Sequence, residues 1–161
     1  MARSSKHKTN AVRIVEGKKI PYQLYEYDAS GGFVDGVSAA NATGLELDTV
    51  FKTLVLQGAS REYYVCIIPV AKELNLKKAA RHFGEKKVEM IHVRDITKIT
   101  GYIKGGCSPV GMKKSFRTAV DQSAEALEQI VVSGGKVGLQ MELPVEGLLR
   151  VTGAQLAAIT D

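Results

Sequence analysis

Cysteine is scarce. Cys66 and Cys107 are the only two in 161 residues, too few for a disulfide framework and without the paired spacing of a metal site. A reducing, cytoplasmic setting is the expectation. No run of 18 apolar residues occurs, which excludes a transmembrane helix and leaves no membrane partner to expect. The opening stretch MARSSKHKTNAVRIVEGKK is basic and has no apolar core, so no secretory signal is expected; residues 1–7 read as a flexible basic tail. His7, His82 and His92 stand at no ligand spacing with a cysteine or carboxylate, so neither a metal nor another cofactor is expected. Walker and dinucleotide fingerprints are absent, as are linkers, repeats and low-complexity segments. One domain over residues 1–161 is the expectation.

What is present fits a globular chain with a real core: 45% hydrophobic and 24% charged residues. The net charge of +5 is unevenly distributed. Residues 1–19 and 72–117 carry +5 and +8, whereas residues 20–71 and 118–161 each carry −4. Such blocks suit a surface for a phosphate backbone, and equally suit helices that place lysines in water.

Turn and cap residues divide the chain. Thr9 or Asn10 caps a helix to about Gly17, and Tyr22–Tyr27 reads as a strand. Gly31-Gly32 marks a turn, and Val37–Thr43 a small helix closed by Gly44. Strands Val50–Gln57 and Tyr63–Pro69 form a hairpin about Gly58–Arg61. A helix from Asn75 to His82, a strand Val88–Ile91 and a helix Val93–Thr100 follow. Strands Arg117–Asp121, Gln129–Ser133 and Val137–Leu143 come next, with a Gly134-Gly135 turn between the last two. Pro144 opens a helix to Val151, and Gln155–Thr160 is a last strand. The irregular interleaving predicts a mixed α+β fold rather than a doubly wound parallel sheet.

Two features stand out chemically. In Val50-Phe-Lys-Thr-Leu-Val-Leu56, period-2 alternation puts Lys52 with Val50, Leu54 and Leu56, and puts Thr53 with Phe51 and Val55. A cation in so apolar a strand has either a task or a route to water. The loop Gly105-Gly-Cys-Ser-Pro-Val-Gly111 has three glycines in seven residues, which could aim backbone N–H groups at an oxygen or form an ordinary turn. Cys107 has no histidine near it in sequence, and Asp121 is a polar residue in a strand-like run whose role is open.

Read together, KTNAVR, VFKTLVLQG, GYIKGGCSPVGMKK, AVDQSAEALEQIVVSGGKVGLQMELP and EGLLRVTGA resemble the YbaK/EbsC family of aminoacyl-tRNA deacylases. That family is related to the editing domain inserted in bacterial prolyl-tRNA synthetases. The resemblance implies a largely antiparallel, β-barrel-like sheet flanked by helices. It implies cleavage of the ester between an amino acid and the 3′ end of a misacylated tRNA, without a metal. Lys52 matches the family's essential lysine, and Gly105, Gly106, Ser108, Pro109 and Gly111 match its pocket loop. Tyr27, Thr53 and Asp121 complete the expected substrate-binding set.

The cysteine-specific branch matches best. There the substrate's own thiol attacks its carbonyl and releases a thiolactone, which suits a chain with no evident nucleophile of its own. Prolyl-tRNA synthetase is the implied partner. Two alternatives stay open: a deacylase of another residue, such as alanine on tRNA(Pro), and a non-catalytic tRNA- or protein-binding module. Cys107 departs from the aliphatic residue expected in the loop, and Val137 from a second basic residue after Lys136.

Overall fold

The computed structural model describes residues 8–28 and 35–161; the proposed tail at 1–7 and the turn at Gly31-Gly32 lie outside them. Local signals set most element boundaries. Thr9 caps α1 (Asn10–Gly17) by accepting the Val12 N–H at 3.2 Å. Asp35 caps α2 (Gly36–Thr43) by accepting the Ser38 N–H at 2.8 Å, and Gly44 ends it in the left-handed conformation. Asn75 caps α3 (Leu76–Phe83) in the same way. These caps satisfy N–H groups that a helix start leaves without partners. Pro144 stands just before α5 (Val145–Thr152), where its missing N–H costs nothing.

The strands are β1 (Gln23–Glu26), β2 (Phe51–Gly58), β3 (Tyr63–Pro69), β4 (Val88–Met90), β5 (Arg117–Asp121), β6 (Gln129–Ser133), β7 (Leu139–Pro144) and β8 (Gln155–Ala157). They form a three-stranded sheet, β1-β7-β6, and a five-stranded sheet, β4-β2-β3-β5-β8. Only β3–β5 and β5–β8 run parallel. The expected mixed α+β class, largely antiparallel, is the architecture found. The barrel-like closure is not: among the described residues the two sheets meet through a single bridge, Val50–Val131, and no ladder closes the ring.

Several elements differ from expectation, among them 3-10 turns at Leu47–Thr49 and Gln122–Ala126 that the sequence pattern does not announce. The helix expected over Val93–Thr100 is split into a 3-10 turn, Val93–Asp95, and α4 (Ile96–Thr100). β7 starts at Leu139 because Gly138 turns the chain at φ 90°. β8 ends at Ala157, and Thr160 makes only an isolated bridge to Leu74.

The five-stranded sheet is covered on both faces. One face brings Phe51, Val65, Ile67 and Val120 against Ile130, Met141 and Leu143 of the other sheet, sealed by Val12 and Val15 of α1 and Leu148 of α5. The other brings Leu56, Tyr64, Cys66 and Ile68 against Ala79, Ala80 and Phe83 of α3. Each such side chain contributes about 1.5–3 kcal/mol when fully buried, so the sheet that carries Lys52 is held from both sides.

Candidate active site

β4 covers only one end of β2, from Leu56 to Gly58, and the bridge at Val50 marks the other. Between them the strand edge opens into a cavity of about 640 Å³. Its floor is Val50–Val55; one wall is the start of α2, from Asp35 to Ala39. Met90, Ile91, Val93 and Ile96 make the opposite wall. Met90 and Val93 are 48% and 54% exposed, so this wall reaches the surface. Tyr27, Gly105 and Cys107 close the site with Ser133 and Gln140.

Lys52 is partly buried. Among the described residues it forms no salt bridge, although three others pair, such as Lys87 with Glu89 at 3.3 Å. A half-covered ammonium with no carboxylate within 4 Å among the described residues favours an anionic or carbonyl guest. Thr53 Oγ1 is buried without a hydrogen-bond partner among the described residues. Buried hydroxyls are rarely left so, and the cost is about 1–3 kcal/mol.

Four of the expected site residues therefore meet here: Lys52, Thr53, Tyr27 and Gly105. Five do not line the cavity. Ser108 is fully buried and its Oγ accepts the Val110 N–H at 3.2 Å. Pro109 is buried beside it. A Cβ on Gly106 would stand 2.8 Å from the Lys136 Cα, and one on Gly111 2.8 Å from Asn10 Nδ2. These glycines let the loop press against the β6–β7 turn and α1. Asp121 is 2% exposed and binds inside the fold: its carboxylate accepts the Ser123 N–H at 3.2 Å, the Ile159 N–H at 3.4 Å and the Thr160 hydroxyl at 3.1 Å. Burial raises its pKa, but those hydrogen bonds outweigh it and hold the carboxyl below its ordinary value.

Cys107 lines the cavity, and burial pushes its thiol up to about 11, so at neutral pH it is a thiol and a weak nucleophile. Cys66, fully buried in β3, is pushed up to about 12. Among the described residues no group of three or more His, Cys, Asp or Glu side chains could hold a metal ion.

Residues that the sequence did not single out arrive from separate elements: Asp35 and Ser38 from α2, Ser133 from β6 and Gln140 from β7. Gln140 carried one faint sign, a polar residue between Leu139 and Met141. It is 6% exposed, and its Oε1 accepts the Thr43 hydroxyl at 3.2 Å.

A family model described as the aminoacyl-tRNA editing domain matches residues 35–151, from the cap of α2 through most of α5. The chain belongs to this family. EbsC of Enterococcus faecalis, named for Cys-tRNA(Pro)/Cys-tRNA(Cys) deacylase activity, is 46% identical over 98% of this editing domain's chain and 96% of its own. A proline–tRNA ligase of Trichlorobacter lovleyi is 23% identical over 71% of the chain, which spans 22% of that ligase. A crystal structure described as a trans-editing enzyme for prolyl tRNA synthetase has the same fold, with a TM-score of 0.83 and 24% identity, covering 98% of this chain and 97% of that one. Among the described residues no helix of the editing domain is long and apolar enough to cross a membrane.

Proposed function

We propose that the chain is a cytoplasmic deacylase that removes cysteine from mischarged Cys-tRNA(Pro), and from Cys-tRNA(Cys). The observation that carries this reading is the Lys52 ammonium, without a salt bridge among the described residues, in a cavity lined by Cys107 held as a thiol. Such a site polarises and positions an ester without attacking it, and cysteine brings its own nucleophile. The substrate sulfur, losing its proton, adds to the ester carbonyl carbon. The bond from that carbon to the ribose oxygen breaks, and the oxygen leaves as the protonated 3′ end of the tRNA. The product is a four-membered thiolactone, which water opens to cysteine. Holding the thiol against the carbonyl supplies rate through proximity, and Lys52 stabilises the charge that develops on the carbonyl oxygen.

Lys52 is the catalytic residue in this reading. Tyr27, Thr53 and Gly105 contact the substrate, while Gly106, Ser108, Pro109, Gly111 and Asp121 hold the loop and strand that shape its site. The whole chain acts as one editing domain. The Val50–Val131 bridge supports reading its two sheets as a barrel-like enclosure around the cavity. The tRNA body follows the basic block 72–117. Local similarity to proline–tRNA ligases supports prolyl-tRNA synthetase as the partner that selects the tRNA.

The test is a panel of Cys-, Ala- and Ser-tRNA(Pro), with and without prolyl-tRNA synthetase. Cysteine should be released fastest, and trapping should capture a thiolactone. Serine released as fast as cysteine would overturn the thiol mechanism.

A further inference from the structure

The edge of β2 that faces the cavity has a definite hydrogen-bonding parity. Val70 donates its N–H to the Val50 carbonyl at 2.9 Å, and Gly58 donates to the Glu62 carbonyl at 2.9 Å. The even-numbered residues of β2 therefore bond towards β3. Ile91 donates to the Val55 carbonyl at 3.1 Å from the opposite side, so the odd-numbered residues bond outward. Val55 is thus engaged at one end, and Val50 bridges β6 at the other. Between them Thr53 turns both its N–H and its C=O towards the cavity, and among the described residues no strand lies opposite it. The same residue carries the buried, unpartnered Oγ1. A floor of three polar groups on one residue with no partner among the described residues, inside a mostly apolar cavity, is a receptor for something that both donates and accepts.

We propose that the esterified amino acid docks on this edge as a one-residue strand. Two residues opposed in an antiparallel ladder exchange both N–H···O=C bonds. An α-aminoacyl ester carries the same N–Cα–C=O unit as a residue, so its α-amino group donates to the Thr53 carbonyl while its ester carbonyl accepts the Thr53 N–H. That N–H then aids Lys52 in drawing electron density onto the carbonyl oxygen. Handedness follows. Residues directly opposed across antiparallel strands put their side chains on one face, with Cβ atoms about 4.5–5.5 Å apart. An L-amino acid would thus set its side chain beside Thr53 Oγ1, and a D-amino acid would set it on the Lys52 face. The site would require a free α-amino group and the L configuration, a selectivity that the Lys52 ammonium by itself does not impose.

This inference rests on the deacylase reading, and two measurements separate their failures. The first compares L-Cys-tRNA(Pro), D-Cys-tRNA(Pro) and 3-mercaptopropionyl-tRNA(Pro), which keeps thiol and ester but lacks the amino group, each rate divided by that ester's spontaneous cleavage. Loss of one charge-assisted hydrogen bond should lower kcat/KM about 10–100-fold for the desamino ester, and the D ester should also be slow. Equal cleavage of all three overturns the inference and leaves the deacylase reading standing. No cleavage of any overturns the deacylase reading.

The second follows amide signals by NMR on adding cysteine amide-linked to 3′-amino-3′-deoxyadenosine. The Thr53 amide should shift downfield and exchange more slowly. A Thr53 amide that stays put while Gly105–Gly111 amides move would overturn the inference whatever the kinetics show.

Discussion

β2 and β5 lie on either side of β3 in one sheet, and each carries a charged side chain among apolar neighbours, β5 having in addition Arg117 at its exposed start. In β5 the charge is Asp121, whose carboxylate accepts from Ser123, Ile159 and Thr160. In β2 it is Lys52, which makes no salt bridge among the described residues. The same fold thus saturates one buried charge and leaves another open. A saturated charge ties segments together, here Ser123 just after β5 and the C-terminal Ile159 and Thr160. An open one, partly buried beside a cavity that reaches the surface, is left for water or a guest to solvate.

The sharpest way to break the contrast is to neutralise each charge. Lys52→Met keeps most of the length of the unbranched side chain and removes its ammonium. It should cut kcat/KM for Cys-tRNA(Pro) about a hundredfold or more, the scale of losing one oxyanion-stabilising donor, while the melting temperature holds or rises. Asp121→Asn should do the reverse. Its N–H partners are left with a weaker acceptor, so stability should fall by about 1–3 kcal/mol in denaturant melts, with catalysis per folded molecule retained.

The pH dependence follows from the direction of the Asp121 shift. Its folded pKa is lowered, so its contribution is complete above the unfolded value of about 3.9 and fades as pH falls through the folded one. The stability gap between wild type and Asp121→Asn should narrow in acid; a gap that widened there would contradict this placement of Asp121.

Gly106→Ala probes the loop that closes the cavity. Its new Cβ would meet the Lys136 and Val137 backbone at 2.8 Å, so a loss of about 1–3 kcal/mol is expected on thermal melting. The smallest effect is at Cys107. With its thiol pushed up to about 11, Cys107→Ala should leave kcat/KM nearly unchanged, and alkylation of the wild-type thiol should be slow at pH 8. Inactivity of Cys107→Ala would return a protein nucleophile to the mechanism.

How much of this was legible beforehand depended on distance along the chain. The caps at Thr9 and Asn75, the stop at Gly44 and the alternation in β2 act within a few residues, and the sequence displays them. Lys52 stood out because a cation breaks an apolar run locally. The cavity itself is non-local: Tyr27 just after β1, Asp35 at the cap of α2, Ser133 of β6 and Gln140 of β7 meet there, and nothing near any of them in sequence says that they converge. The glycine loop was open to two readings from its residues alone. Three glycines suggest N–H groups aimed at a ligand, whereas at Gly106 and Gly111 the missing Cβ makes room for neighbouring backbone and side chains. The split of Val93–Thr100 into a 3-10 turn and α4 was hidden because both share nearly the same side-chain period.

The most direct test of the central claim is one experiment on three proteins: release of labelled cysteine from Cys-tRNA(Pro) by wild type, Lys52→Met and Asp121→Asn, each normalised to its folded fraction. The account predicts release by wild type and by folded Asp121→Asn, and almost none by Lys52→Met. Release by Lys52→Met at the wild-type rate would contradict it.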